Sequence, residues 1–283
     1  MPGWVKTANG TVDDLNLNLC TLRTIGIEMA GAENARFADV FWPMLTAGAE
    51  AQQKYGTNFA IAGKDGVHPG WAGQTVMAYA FLKALGLNGD IGTFTVDLKR
   101  NSLKVSKGHE VISSRDGEFQ IRSSKYPFCP CLESGQATAG YPVCGQEDLS
   151  SDGTLRSALA LVPFNKDLNQ LMLIVKNAKA PSYSVVWGNQ TNKFAGTDLS
   201  RGINLAAEFP FNPFAAAFAK VDAAVATKQA YETKEIKQLF RSAEAKTDMD
   251  GVAGRAEQER TPLAAAIAEA FVPVVHTIRI QAR

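Results

Sequence analysis

From about residue 91 onwards, apolar and polar residues alternate along short segments, and this two-residue period constrains the fold more than any other sequence feature. Such segments, separated by turn residues, are typical of β-strands that bury one face. They cover residues 93–98, 102–106, 110–113, 118–122, 169–176 and 182–187. The sequence therefore predicts a β-rich, sandwich-like module over residues 91–208.

The first ninety residues follow the helical period, with one apolar run of strand type at residues 36–42. Helices are predicted around residues 15–29, from 43 to about 55, and in a third segment that ends at Gly86. Because one strand cannot make a sheet, residues 1–90 are interpreted as the last third of an α/β domain. We expect the other strands of that domain to be absent from this sequence, so that residues 36–42 form an open sheet edge.

Residues 209–283 return to the helical period. Apolar residues recur at helical spacing from 214 to 240, a polar link covers 248–251, and a second helix includes Leu263, Ile267 and Phe271. This part is predicted to be a helical hairpin followed by a β-like tail at residues 272–280. The predicted fold class is thus mixed α/β and β, in three consecutive segments.

The charge balance excludes one class of partner. Lys and Arg total 29 and Asp and Glu total 28, a net charge of +1, so no electrostatic footprint for nucleic acid is present. No apolar run is long enough to span a membrane, and we expect no membrane partner. The first residues lack the pattern of a secretory signal, but a mature exported form would look the same, so localisation stays open.

Three of the four cysteines, Cys129, Cys131 and Cys144, share a stretch rich in Pro and Gly. They are interpreted in three ways: as loop thiols packed like small hydrophobic residues, as a Cys131–Cys144 disulfide suited to an oxidising compartment, or as a zinc site. The zinc interpretation lacks an obvious fourth ligand. We expect neither a metal nor a cofactor.

The residues with the clearest chemical potential are Asp65 and His68, three positions apart on a tight loop ahead of a helix. A carboxylate at this spacing can accept a hydrogen bond from one ring nitrogen and leave the other free to act as a base. The same spacing also suits a turn with a capping carboxylate. Trp71, next to the loop, lines a substrate cleft or staples the helix start, whereas His109 and His276 are interpreted as surface or packed histidines.

The surroundings of this pair carry a family resemblance. Asp-Gly-Val-His-Pro at 65–69, Gly73 and the Val-Met-Ala that opens an apolar helix at 76–78 resemble the last sequence block of the SGNH (GDSL) hydrolases. Further similarity to the C-terminal extension of large bacterial members lies at residues 126–129, 162–169, 202–206 and 228–233. The resemblance implies an esterase acting on carboxylic or acetyl esters, with acetylated sugars as one candidate substrate, in which Asp65 orients His68 and His68 is the general base and acid.

The family's nucleophile block, Gly-Asp-Ser, is absent from the sequence, as is a Gly-x-Ser-x-Gly elbow. The nucleophile is therefore not identifiable in this chain. Cys129, Cys131 or a serine such as Ser182 could substitute if it approached His68, His68 could activate water, or a second chain could supply the missing half.

Two other interpretations stand beside the esterase. One is a catalytically silent fragment that binds carbohydrate or protein, for which we expect an exposed aromatic surface at Trp187 or Tyr183. The other, compatible with an esterase, is self-association that covers the incomplete α/β sheet.

Overall fold

The computed structural model describes residues 12–131, 143–145 and 148–283. It begins with three helices, α1 (Val12–Ala32), α2 (Phe41–Tyr55) and α3 (Trp71–Ala84). Two short helices, α4 (Leu155–Leu159) and α5 (Phe164–Leu168), pack against α2 and α3. Their shared core is built from small and medium apolar side chains, among them Ala51, Ile61, Ala72, Val76 and Ala158. The three predicted helices are confirmed.

The predicted strand at residues 36–42 is wrong. Residues 35–40 have no regular secondary structure, and Phe41 and Trp42 already belong to α2. In the described part of the chain no strand lies beside this segment, and an extended segment without a hydrogen-bonded neighbour is not a strand. Asp39 turns the chain into α2 instead, because its Oδ1 accepts a hydrogen bond from Trp42 N at 3.3 Å while Oδ2 pairs with Arg23 Nη2 at 2.6 Å.

Helix α1 forms, but much of its apolar face stays uncovered. Leu17, Leu22 and Met29 are each more than 60% exposed. The sequence period alone predicts a buried face for such a helix. Its apolar side chains, with Phe81 and Leu85 near the end of α3, are exposed to solvent in the structure.

A β-sandwich forms, as predicted, but it combines strands from the middle of the chain with one strand from the C-terminal tail. One sheet has the order β2-β1-β5-β8 and the other β3-β4-β9-β6-β7. The strands are β1 (Asp90–Asp97), β2 (Ser102–Val105), β3 (His109–Arg115), β4 (Glu118–Ser123), β5 (Gln170–Lys176), β6 (Ser182–Trp187), β7 (Gln190–Ala195), β8 (Ile203–Asn204) and β9 (Val274–Ala282). Strands β1 and β5 are parallel and the other pairs are antiparallel. Inward side chains of both sheets meet in one core that includes Phe94, Leu173, Phe119, Val185 and Ile278.

The C-terminal helices are α8 (Ala215–Lys237) and α9 (Met249–Ala270), preceded by the short α6 (Gly196–Arg201) and α7 (Leu205–Glu208). The predicted hairpin is confirmed, with the hydroxyl of Tyr231 on α8 donating to Ala256 O on α9 at 3.3 Å. The tail predicted as β-like becomes β9, which lies between β4 and β6 at the centre of the five-stranded sheet. None of the helices described in the structure is long and apolar enough to cross a membrane.

The aromatic side chains expected to form an exposed binding surface lie inside the sandwich. Trp187 is fully buried and Tyr183 is 5% exposed. Both project from the inward face of β6, where residues 183, 185 and 187 alternate with more outward positions. The expectation of an exposed surface at these two residues is therefore wrong.

Candidate active site

The Asp65–His68 loop lies between α2 and α3 and is shaped by Gly63. Gly63 has a φ of 83°, and Gly66 N donates to its carbonyl oxygen at 3.0 Å to close a turn. A Cβ added at Gly63 would clash with the backbone carbonyl of His68. Only glycine allows the two ends of the loop to approach this closely, so the loop geometry is set before any substrate binds.

Asp65 holds both the backbone and the ring of His68. Its Oδ1 accepts hydrogen bonds from Val67 N and His68 N, both at 3.0 Å, while Oδ2 lies 2.6 Å from His68 Nδ1. The carboxylate has no proton to donate, so Nδ1 carries the hydrogen and Nε2 keeps its lone pair. The His68 side chain is 83% exposed, which leaves the ring accessible to a reacting molecule. Asp65 therefore caps the turn and also orients His68, so the two interpretations of this spacing describe the same arrangement.

The charge of Asp65 is secured by the same contacts. The hydrogen bond from His68, followed by those from the backbone of Val67 and His68, lowers the pKa of Asp65 to about 2. The carboxylate is therefore ionised throughout the neutral and mildly acidic range. An ionised partner at 2.6 Å can stabilise the imidazolium that forms when His68 takes up a proton.

An apolar cavity of about 300 Å³ opens beside the loop. Its walls come from α1, the start of α2 and the two residues that flank His68, and include Leu19, Val40, Phe41, Met44, Val67 and Pro69. Trp71, in the first turn of α3, is 41% exposed and is not among the residues that line this cavity.

A segment that the sequence did not single out packs against the start of α3, close to the loop. The carbonyl oxygen of Asp152 accepts a hydrogen bond from Ala72 N at 3.0 Å. Beside it, Ser150 Oγ donates to Asp148 Oδ1 at 2.6 Å, and Ser151 Oγ accepts from Gly153 N at 3.1 Å. No sequence signal connects residues 148–153 with residues 65–72, because the two segments meet only through the tertiary fold.

The two cysteines considered as substitute nucleophiles are unsuited to that role. Cys131 forms a disulfide with Cys144, with a Cα–Cα distance of 5.0 Å. Cys129 is fully buried in the sandwich core, and burial raises the pKa of its thiol to about 12. A thiol that stays protonated and out of contact with solvent is not a nucleophile. Of the three interpretations, the disulfide describes Cys131 and Cys144, and the packed thiol describes Cys129.

The other candidates also lie in the sandwich. Ser182 begins β6, in register with Ala195. His276 is 3% exposed and His109 is half-buried, so the interpretation of packed histidines is confirmed for both. Among residues 12–131, 143–145 and 148–283, no three His, Cys, Asp or Glu side chains cluster closely enough to hold a metal ion.

Comparison with known proteins gives a fold but no family. No protein-family profile matches the chain, and no curated protein matches it. A gut microbial diltiazem-metabolizing enzyme of known structure is similar over 99% of this chain and 70% of its own, with a TM-score of 0.65 and 21% sequence identity. The mixed α/β architecture is therefore shared with an enzyme that is longer than this chain.

Proposed function

We propose that the chain is an ester hydrolase of SGNH type that acts on carboxylic or acetyl esters, with His68 as general base and acid and Asp65 as its orienting partner. The observation that carries the proposal is the 2.6 Å contact between Asp65 Oδ2 and His68 Nδ1 on an exposed, sterically fixed loop. The similarity of the fold to a drug-metabolizing enzyme supports it, as does the sequence resemblance at residues 65–78.

In this proposal Nε2 of His68 takes the proton of the attacking group as that group adds to the ester carbonyl. Asp65 stabilises the imidazolium, and Nε2 then returns the proton to the departing alcohol. The pKa of Asp65, lowered to about 2, keeps the carboxylate charged throughout, so it orients and stabilises without exchanging protons itself.

The cavity beside His68 is proposed to hold the acyl group of the ester. Its volume of about 300 Å³ is at the lower end for ligand pockets, which favours an acetyl or other short acyl chain. Trp71, three residues after His68 and 41% exposed, is proposed to contact the alcohol side of the substrate, where a sugar ring could stack on the indole.

For the attacking group we propose water, because both cysteine candidates are unsuited to the role. With no nucleophile or oxyanion donor identified among the residues that the structure describes, we propose that the site lacks most of the possible acceleration and turns over only activated esters, slowly. A hydroxyl supplied by another polypeptide is the competing possibility. It would form an acyl-enzyme that mass spectrometry of acid-quenched reactions detects, whereas attack by water leaves none.

The test is hydrolysis of p-nitrophenyl acetate by the purified chain, the His68→Ala variant and a Lys64→Ala control on the same loop. We expect the His68→Ala rate to fall to the uncatalysed background while the Lys64→Ala rate is retained. Equal rates in all three would refute the role of His68. Absence of turnover in every sample would favour the catalytically silent, carbohydrate- or protein-binding alternative.

A further inference from the structure

A network of side-chain hydrogen bonds runs through the sandwich, and its residues lie far in sequence from the candidate active site. Trp187 Nε1 lies 3.1 Å from His276 Nδ1, and His276 Nε2 lies 2.9 Å from Ser123 Oγ. Ser123 Oγ lies 2.7 Å from His109 Nδ1, and His109 Nε2 lies 3.0 Å from the carbonyl oxygen of Ile91. Ser123 is fully buried.

The groups at the two ends of this hydrogen-bonded network, Trp187 and Ile91, fix the position of every proton along it. The indole N–H of Trp187 can only donate, so Nδ1 of His276 accepts and its Nε2 carries the hydrogen. At the other end the carbonyl of Ile91 can only accept, so Nε2 of His109 carries a hydrogen. Ser123 then accepts from His276 and donates to Nδ1 of His109. All donors and acceptors are satisfied only when both histidines are neutral.

The hydrogen-bonded network joins the two sheets. Trp187, His276, Ser123 and His109 lie on β6, β9, β4 and β3 of the five-stranded sheet, whereas Ile91 lies on β1 of the other sheet. The approach of His109 to β1 is so close that a Cβ at Gly92 would clash with its Nε2. A second proton on His276 would place the hydrogen on Nδ1 against the indole N–H of Trp187. A second proton on His109 would turn the Ser123 hydroxyl away from Nδ1, so that the hydroxyl hydrogen loses this acceptor.

The surroundings offer little compensation for a charge on the rings. Phe94 and Phe214 pack at ring-centroid distances of 5.0 Å from His109 and His276, respectively. Among the charged groups of the described residues, Asp90 favours a charge on His109 and Lys125 disfavours it, while His109 opposes the charging of His276.

A cavity lies beside the His276 part of the network. His276 lines a cavity of about 280 Å³ that also includes Arg279, whose Nε is paired with Glu118 Oε2 at 2.5 Å.

We propose that the Trp187–His276–Ser123–His109 network is an acid-sensitive latch, which is fully hydrogen-bonded while both imidazoles are neutral and is broken at the Trp187 or the Ser123 contact when either ring takes up a second proton.

The direction of the pH effect follows from the burial of the rings. Burial lowers the pKa of His276 to about 3 and also lowers that of His109, whereas an unfolded histidine titrates near its ordinary value of about 6.5. Between these values the unfolded chain binds more protons, so stability falls as the pH falls. For His276 alone, the folding equilibrium constant falls about tenfold per pH unit below about 6.5, until the pH nears its folded value.

Nuclear magnetic resonance of histidine ring nitrogens tests the geometry in the unaltered chain, which has only three histidines. We expect His109 and His276 to be neutral at pH 5 with the hydrogen on Nε2, and His68 to carry a hydrogen on Nδ1. The His68→Gln variant assigns the third signal. A buried histidine that titrates near pH 6.5 with the fold intact, or carries its hydrogen on Nδ1, would overturn the proposal.

The consequence for stability is tested by urea unfolding between pH 6.5 and 4. In His276→Gln, the amide oxygen can accept from Trp187 and the amide nitrogen can donate to Ser123, but the side chain does not titrate. We expect its stability to fall less steeply than that of the wild type, by about tenfold per pH unit in the folding constant. If stability depends on pH with the same slope in the wild type and in His276→Gln, the proposal is overturned. If His276→Gln does not fold, the resonance measurement on the unaltered protein decides.

Discussion

Removal of the Cys131–Cys144 disulfide is expected to lower the free energy of unfolding by about 3 kcal/mol. The bridge joins residues separated by 13 positions. In the chain-entropy treatment, closing a loop of this length removes about 10 cal/mol/K from the unfolded ensemble, which is about 3 kcal/mol at 25 °C. Because one end lies close to Cys129 in the buried core, we expect the loss to affect unfolding of the whole sandwich rather than a local segment.

The assay compares urea unfolding of the wild type, a Cys131→Ala/Cys144→Ala double variant and a Cys20→Ala control. Cys20 is a free cysteine on α1 and shares no loop with the bridge. We expect the midpoint to fall in the double variant and in wild-type protein treated with reductant. The Cys20→Ala control should stay within about 0.5 kcal/mol of the wild type.

Labelling gives an independent check on the bridge itself. An alkylating reagent added in denaturant without reductant should modify Cys20 and Cys129 only. Modification of all four cysteines in protein isolated under oxidising conditions, or a midpoint that reductant leaves unchanged, would refute the reasoning. A confirmed bridge would favour an oxidising compartment for the protein.

Three further outcomes are expected. Gly63→Ala should lose activity, and its thermal unfolding should show a larger loss of stability than that of Gly56→Ala. Both glycines have a positive φ, but only at Gly63 would an added Cβ clash with the backbone. Equal losses of stability in the two variants would contradict this. Asp65→Asn should lower the rate with p-nitrophenyl acetate by about 10²–10⁴-fold with little change in KM, because an amide can hold the wrong tautomer of His68, and an unchanged rate would count against the orienting role. Light scattering should give a mass above 30.4 kDa if a second copy covers the exposed apolar face of α1, with Leu22→Glu shifting the chain towards the monomer; a wild-type monomer would rule out that association.

The sequence predicts those parts of the fold that depend on local pattern. The two-residue period identified six strands, and the positions of glycine and proline marked the ends of α2 and α3. Strand β7 was missed because Gln-Thr-Asn-Lys has few apolar residues, which suits its position at the edge of the sheet. The apolar content of residues 36–42 predicts a strand, but strand formation depends on a hydrogen-bonded neighbour, which local pattern does not reveal.

The Asp65–His68 pair and the latch also differ in how far they could be predicted from local sequence. Asp65 and His68 are three residues apart, so their contact could be predicted from spacing on a turn. The latch could not be predicted, because Ser123 and His276 are 153 positions apart and Trp187 and His276 are 89 apart. Their meeting depends on β9 inserting between β4 and β6, which the period of the tail does not specify.

The most direct test of the central claim is chemical rescue of the His68→Ala variant by added imidazole. If the ring of His68 acts as a base, free imidazole should restore ester hydrolysis in this variant above the rate that imidazole gives with Lys64→Ala and with buffer alone. The restored rate should rise with the imidazole concentration, since the free base takes over the role of the missing ring. A variant as active as the wild type, or one that gains no more from imidazole than buffer does, would contradict the account.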